Sequence, residues 1–399
     1  MQLEQLSLTH FRNFARLDVQ VPTGSILIVG RNAQGKTSLL EAIYFLATLN
    51  SFHAENDRQL VNFLESRKPL GVGRIQATFH KGGGTHKLEV RIIKEQTRNG
   101  VDRARKEVLF DGAKKKLGDV VGQFNAVLFL PQMLQIIDGA PSHRRRFIDL
   151  ALAQVQPHYA ETLNEYQSIL SQRNALLKQL SESGGDGSQL DFWDERLSRR
   201  GAQVLHARLQ AIQELDQLAG KLHHDLTRGV EVLRLDFQPS FDPLPAPDGQ
   251  PDLLSAPQDR SGLSLEKIEA GFRDLLASRR AEHIARGLTP VGPHRDELRF
   301  LSNSVDLGSY GSRGQVRTTL LTLKLAEMEW MHARSGHWPV LLLDEVLAEL
   351  DETRRADLLD RVAQYEQVLL TTTDLNLFTK QFVETAQMWQ IDQGRLNPT

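Results

Sequence analysis

The sequence predicts an α/β protein. Mixed parallel and antiparallel sheets with helices form a head split into two halves, and a helical lobe with a short antiparallel arm is inserted between them. Three observations predict this. Near the start, an apolar strand runs straight into a glycine-rich loop and then a helix. Far along the chain a second apolar strand, Val340 to Leu343, closes on Asp344-Glu345. The stretch between them changes to a helical composition.

The totals are compatible with this plan. A chain of 399 residues suits two or three domains. Apolar content of 40% and charged content of 25% are normal for a globular protein. The net charge of −2 offers no global attraction for nucleic acid, so any basic surface must be local. Absence of cysteine excludes disulfides, thiol nucleophiles and cysteine metal sites. Met1 to Val21 alternates charged and apolar residues, unlike a signal peptide, and no apolar run approaches bilayer length. A cytoplasmic protein without a membrane partner is expected.

Leu3 to Leu8, Leu17 to Val21 and Ser25 to Val29 read as strands, the last apolar throughout. A helix follows from Lys36 to about Leu49, with Leu39, Leu40, Ile43, Leu46 and Ala47 on one face. Val72 to Phe79 and Lys87 to Lys94 read as strands paired around Gly82-Gly83-Gly84. Arg98-Asn99-Gly100 signals a turn, and Val127 to Leu130 a further strand. From Ser142 to about Arg228 the chain is rich in Leu, Gln, Ala, Glu and Arg, with one break at Ser181 to Ser188. This predicts helices that turn back on themselves, reaching about 40 to 60 Å. Phe237 to Gly262, with six prolines, reads as a flexible loop. Leu263 to Arg286 is helical again. Strands follow at Leu298 to Leu301, Val340 to Asp344 and Gln367 to Thr371. The expected division is 1–140 (first half of the head), 141–290 (helical lobe, with the loop at about 237–262) and 291–399 (second half).

Gly30-Arg31-Asn32-Ala33-Gln34-Gly35-Lys36-Thr37 fits the phosphate-loop pattern G-x-x-x-x-G-K-[ST], in the strand–loop–helix context it requires. Backbone N–H groups and the helix N-terminus surround phosphates in such a loop. Lys36 would contact the β and γ phosphates of ATP, Thr37 would hold Mg²⁺, and Ser38 completes the nucleotide-binding run. The bland reading is a chance match in a glycine-bearing turn. Asp344 would hold Mg²⁺ by way of water and Glu345 would polarise the attacking water. The bland reading there is a strand end with two solvated acids. Ser312-Arg313-Gly314-Gln315 precedes a periodic helix running to about Ala333. A serine there is usually an N-cap. The alternative is that Ser312 and the Gly314 N–H meet a γ-phosphate held by a second copy of the chain. Together these elements describe an ATPase head that works as a pair.

Glycine loop, late S-x-G-Q segment and D-E strand end resemble the ABC-type ATPases, and the wide split is similar to their chromosome-maintenance and repair branch. More narrowly the chain resembles the RecF family of bacterial replication and repair proteins. Four stretches carry this: Phe11-Arg12-Asn13-Phe14, Gly139 to Asp149 (GAPSHRRRFID), Gly292 to Leu298 (GPHRDEL), and Gly314-Gln315 through Leu325-Ala326-Glu327. The match runs from the first residues to about Thr373, omitting the proline-rich loop.

The resemblance implies further roles. Glu349-Leu350-Asp351 sits at the D-loop, with Ala348 where the family often has serine. Thr371-Thr372-Thr373, with Thr372 at its centre, sits where many relatives have a switch histidine. Gln132 is a Q-loop candidate, and Arg12 lies where related heads bring a basic residue to the nucleotide. The implied partners are DNA (duplex or single-strand to double-strand junction), a second copy on ATP binding, and a RecR-type mediator. The implied activity is slow ATP hydrolysis by a dimer that helps load recombinase at gaps. A transporter ATPase subunit is disfavoured by the motif spacing, and the ATPase partner of a repair nuclease by the short arm and absent cysteine.

The basic clusters need separate weighing. Lys114, Lys115 and Lys116 follow an Asp-Gly turn and are either a solvated loop or DNA contacts. Arg98, Arg103, Arg105 and Lys106 read as an exposed basic stretch, also a DNA candidate. If Ser142 caps its helix, Arg144, Arg145 and Arg146 oppose the macrodipole in the first turn. Either internal carboxylates such as Asp149 or phosphates then pair with them, and a mainly structural or head-coupling role is expected. His294 has no second metal ligand at a useful spacing.

Overall fold

A computed structural model describes residues 1–96, 102–244 and 260–398. The expected turn at Arg98-Asn99-Gly100 and most of the expected loop at 237–262 lie outside the described residues. The strands are β1 (Gln2–Phe11), β2 (Phe14–Gln20), β3 (Gly24–Val29), β4 (Leu70–Lys81), β5 (Gly84–Gln96), β6 (Asp102–Phe110), β7 (Ala113–Lys115), β8 (Ala126–Phe129), β9 (Leu233–Gln238), β10 (Glu297–Ser302), β11 (Val305–Asp306), β12 (Val340–Asp344), β13 (Gln367–Thr372), β14 (Gln387–Asp392) and β15 (Arg395–Pro398). Backbone contacts divide the chain into two compact units, Met1–Met133 with Glu327–Thr399, and Leu134–Ala326.

The first unit holds two sheets. One is antiparallel, in the order β2-β1-β4-β5-β6-β7; the other, β15-β14-β3-β13-β12-β8, is mainly parallel. β12 and β13 are buried along their whole length; β12 reads as an apolar run up to Asp344, whereas β13 carries Gln367, Thr371 and Thr372 beside its apolar centre. Parallel pairing sets Val29 beside Thr372 and Asp344 beside Thr371. The carboxyl ends of β3, β13 and β12 therefore share one edge of the sheet, where α/β proteins hold their ligands. The helix Lys36–Thr48 leaves that edge and touches strands of both sheets. Every residue from Leu39 to Thr48 is buried, not the single face expected from its periodicity, because apolar layers cover the helix on both sides.

The second unit is mainly helical. Its long helices are Pro141–Val155, Tyr159–Ser183 and Asp191–Leu226, the last two with 25 and 36 residues. They form the expected turn-back arm, closed near its tip by Leu177, Leu180 and Leu190 with Ile284 packed against them. A small antiparallel sheet, β11-β10-β9, accompanies them. β9 corrects the sequence reading, since Phe237 and Gln238 belong to a strand and not to the loop.

The family-like stretches of this unit form a buried ionic core. Arg208, 2% exposed, donates to both carboxylate oxygens of Asp149 at 3.0 Å, to Asp296 at 3.1 Å and to the Pro293 carbonyl at 2.6 Å. Ser142 is not the helix cap. Ala140 is, with Pro141 in the first turn, where its missing N–H costs nothing. The arginines thus start one turn in, and the partner of Arg144 is Glu297, at 2.6 and 2.8 Å, instead of Asp149. Arg145 donates to the Asp296 carbonyl at 2.7 Å. His294 is held between the Tyr166 hydroxyl at 2.7 Å and the Thr289 carbonyl at 3.0 Å. With both ring nitrogens engaged, it is a packing residue.

Candidate nucleotide site and signature segment

β3 ends at Val29 and the chain turns sharply through the glycine loop. Gly30 has no room for a side chain, since a Cβ would lie 2.5 Å from the Ile391 carbonyl oxygen. Gly35 takes φ 118°, and a Cβ there would lie 2.5 Å from Asn13 Nδ2. Asn13 instead reaches over it and donates to the Gln34 carbonyl at 2.9 Å. The Gln34 side chain is gripped by the Gln393 N–H at 2.6 Å. Arg31, Asn32 and Ala33 are exposed at the loop's rim, and Ala33 also adopts a positive φ of 63°.

Lys36 is buried and folds back on the loop, donating to the Gly30 and Arg31 carbonyls at 2.7 and 3.1 Å. It also meets Glu345 Oε1 at 3.1 Å. Thr37 Oγ1 donates to Asp344 Oδ2 at 2.8 Å, while Asp344 Oδ1 accepts from Thr371 Oγ1 at 2.7 Å. The Glu345 N–H donates to Thr371 Oγ1 at 3.1 Å, and Thr373 Oγ1 reaches Glu345 Oε2 at 3.4 Å. Glu345 itself has φ 54°, a strained value for a non-glycine residue. Of the three threonines, Thr371 and Thr373 meet the acids. Thr372 lies one residue out of phase and bonds the Asp374 carbonyl.

Arg12 sits in the β1–β2 turn with φ 52°. Its guanidinium forms a two-pronged pair with Glu41 at 2.7 and 2.8 Å and donates to the Gln59 carbonyl at 3.0 Å. A cavity of about 550 Å³ opens beside it, lined among others by Asn13, Ser38, Arg58, Phe63 and Lys94. A larger cavity, about 620 Å³, lies wholly within the second unit and is lined by none of the predicted site residues. Gln132 is exposed in a short 3-10 turn. Glu349 ends another such turn, Leu350 is buried, and Asp351 caps the next helix by accepting from the Arg354 N–H at 2.9 Å.

Ser312 and Gln315 belong to the second unit and form a reciprocal capping box. The Gln315 N–H donates to Ser312 Oγ at 3.2 Å, and the Ser312 N–H donates to Gln315 Oε1 at 3.1 Å. Ser312 and Arg313 are exposed, and Gly314 is partly so. Capping occupies a lone pair of the serine oxygen and leaves its proton free to donate, so the two readings of Ser312 are compatible.

The basic clusters divide. Lys106 is not exposed as expected; it meets Asp57 at 3.0 Å and the Leu49 carbonyl at 2.9 Å. Arg105 pairs with Glu107 and Glu95. Lys114 lies 3.1 Å from Glu107. Arg103 is exposed, as are Lys115 and Lys116, and neither lysine makes an ion pair among the described residues. Ala113–Lys115 is an edge strand after a turn at Asp111-Gly112, both with positive φ. Lysines also suit such an edge because they discourage strand addition.

Asn13 and Glu41 were not assigned to the site from the sequence, and at the switch position Thr372 was preferred to Thr371. A single acid on the otherwise apolar helix face around Leu40 and Tyr44 was a usable signal for Glu41, and Asn13 stands inside Phe-Arg-Asn-Phe. Nothing in the sequence separates Thr371 from Thr372, because their strand is buried on both faces.

Comparison with known proteins agrees with this geometry. The RecF/RecN/SMC N-terminal domain family matches residues 2–396. The chain is 39% identical over 406 residues to the DNA replication and repair protein RecF of Chloroflexus aggregans, covering 99% of each. It is 36% identical to RecF of Enterococcus faecalis, covering 99% of this chain and 98% of that one. A solved structure described as the recombination mediator protein RecF with ATP in the RecFOR pathway superposes with a TM-score of 0.82 at 27% identity, covering 100% of this chain and 97% of that one. An SMC head bound to the C-terminal winged-helix domain of ScpA gives 0.53 at 12% identity, over 100% of this chain and 97% of that one, a likeness of fold alone. With a family model that spans residues 2–396 and relatives of this name matched over their full length, the chain belongs to the RecF family of DNA replication and repair proteins.

Proposed function

We propose that this protein is a slow ATPase that binds ATP with Mg²⁺, closes as a dimer on DNA at gaps or single-strand to double-strand junctions, and works with a RecR-type mediator to load recombinase. In this reading residues 1–140 and 291–399 act as the two halves of the head and 141–290 as the inserted lobe, while by backbone contacts 134–140 and 291–326 pack with the lobe. The observation that carries this reading is the meeting of Lys36, Thr37, Asp344 and Glu345 at one sheet edge.

The donor set fits magnesium. A hydroxyl and a carboxylate oxygen face each other at 2.8 Å, both hard donors, and Mg²⁺ asks for only one or two such protein groups beside phosphates and waters. Thr37 and Asp344 would hold the ion, which when bound neutralises phosphate charge. Lys36 exchanges two carbonyls and Glu345 for the β and γ phosphates. That releases Glu345 to orient and polarise the attacking water, with Thr373 beside it to steady the carboxylate. Thr371 holds Asp344 through its second oxygen, so the metal-facing oxygen keeps its direction. Arg12, Asn13 and Ser38 form the wall beside the loop where the rest of the nucleotide lies.

Ser312, in this reading, donates its hydroxyl to the γ-phosphate on a second copy, with the Gly314 N–H and the helix N-terminus supporting it. Glu349, Leu350 and Asp351 report between the paired sites, and Gln132 is the Q-loop residue of this reading. Ser312→Arg should bind ATP normally and stay monomeric with hydrolysis abolished, because its bulk and charge block the facing surface. Normal turnover by that variant would rule out Ser312 as a contact to the second copy.

A further inference from the structure

Glu231 stands just past the end of the helix Asp191–Leu226, and polar groups from three other stretches converge on its carboxylate. Oε2 accepts from Ser302 Oγ at 2.8 Å and meets His223 Nε2 at 3.2 Å. His223, fully buried, reaches Thr322 Oγ1 with its other nitrogen at 3.0 Å. Glu231 Oε1 accepts from Gln315 Nε2 at 3.4 Å. Burial works to raise this carboxyl, but the hydrogen bonds from Ser302 and His223 hold it below its usual range. It is a carboxylate at neutral pH, and a carboxylate only accepts.

That polarity matters for Gln315, whose amide has one donating and one accepting end. With its NH₂ turned to Glu231, its carbonyl is left facing the Ser312 N–H, the bond that closes the capping box. A flipped amide would set NH₂ against N–H and carbonyl against carboxylate, two like contacts at once. Glu231 therefore decides which way Gln315 faces, and Gln315 in turn fixes the turn that presents Ser312. His223 anchors the carboxylate from the side away from Gln315. Ser302 bonds the same oxygen from the end of β10, but its loss leaves the Glu231 charge and the Oε1 bond to Gln315 in place.

We propose that Glu231 is a positioning residue for the signature segment, acting through Gln315 to hold the Ser312 hydroxyl in its presenting conformation. The inference rests on the reading of Ser312 as a phosphate contact to a second copy. It makes Glu231 matter to turnover although Glu231 itself touches no nucleotide.

Steady-state ATP hydrolysis by the full chain tests it, using Glu231→Ala, Ser302→Ala and Ser312→Ala with ATP affinity and thermal midpoint measured for each. Glu231→Ala should lower kcat about tenfold, the scale of one hydrogen bond to a charged group, with KM and Kd for ATP unchanged. Ser302→Ala removes another bond to the same carboxylate and so controls for lost stability; its kcat should stay within about twofold. Should Glu231→Ala fail to fold, Gln315→Met, which keeps the volume and removes the amide, should show the same loss of kcat. A wild-type kcat in Glu231→Ala, or an equal loss in Ser302→Ala, overturns the proposal. Slow Ser312→Ala beside normal Glu231→Ala sinks this inference alone. Normal Ser312→Ala sinks the signature reading and the inference with it.

Discussion

Thr37 Oγ1 donates to Asp344 Oδ2 at 2.8 Å across 307 positions of sequence. The pair is made by parallel strand register. β3 and β12 both flank β13, so the second residue of the helix that follows the glycine loop and the last residue of the acidic strand arrive at the same edge. The insertion of a whole helical unit between them leaves that register unchanged, because the sheet closes on backbone pairing and apolar burial alone.

Asp344→Asn should keep the fold and lose the metal-dependent part of ATP binding. Thr371 and Thr37 can still bond an amide, but the charge that attracts Mg²⁺ is gone. ATP affinity with Mg²⁺ should fall to the value measured with a chelator, and turnover should drop at least about 100-fold. Equal Mg²⁺ enhancement in variant and wild type would contradict the assignment.

Arg208→Met should destabilise the helical unit by about 3–5 kcal/mol, since Asp296 and Asp149 would be left as buried or half-buried acids without their cation. Burial already pushes the Asp296 carboxyl up, with Arg208 opposing it. Urea unfolding monitored by far-UV circular dichroism measures this. A loss below about 1 kcal/mol would show that the network contributes little.

Acid should weaken the same unit through two buried histidines. Burial lowers His294 to about 4, with the cations Arg295, Arg145 and Arg208 adding to the effect, and burial followed by Arg173 lowers His283 to about 4. Their unfolded value is about 6.5, so between these values the unfolded chain binds more protons. Stability from both histidines is complete above about pH 6.5 and is lost as pH falls toward 4, by about 3 kcal/mol each at most. Urea midpoints at pH 7.5 and 4.5 should differ accordingly, and His294→Gln should flatten the slope. An unchanged slope in that variant would contradict the account.

Much of this was legible beforehand. The run Ile26 to Val29 entering Gly30, and Val340 to Leu343 entering Asp344, are short apolar runs of the kind that buried parallel strands carry. The helices Tyr159–Ser183 and Asp191–Leu226 follow from composition and one glycine-rich break. What stayed hidden depends on partners remote in sequence. β9 is a short alternating strand that runs into a proline-rich stretch. Arg144 finds Glu297 153 positions away, and nothing local marks that pairing. Whether Thr371 or Thr372 faces the acids depends on strand phase, which a fully buried strand does not display. Lys106 looks like its basic neighbours until Asp57 is placed beside it.

DNA contact, if it uses the β7 edge, falls on Lys115 and Lys116 before Lys106. Replacing both with alanine should weaken gapped-duplex binding and reduce the slope of log affinity against log salt by about 1 to 2. Lys106→Ala should act on thermal stability, since its charge is already paired. An unchanged salt slope in the double variant would remove this edge from the DNA surface.

The most direct test is the molar mass in solution of Glu345→Gln, with and without ATP and Mg²⁺, followed by addition of a gapped duplex. The change keeps the phosphate and metal ligands and removes the carboxylate that polarises water. A monomer that becomes a dimer with ATP and then retains DNA is the expected result. A monomer under every condition would contradict the ATP-gated pairing on which the proposed function stands.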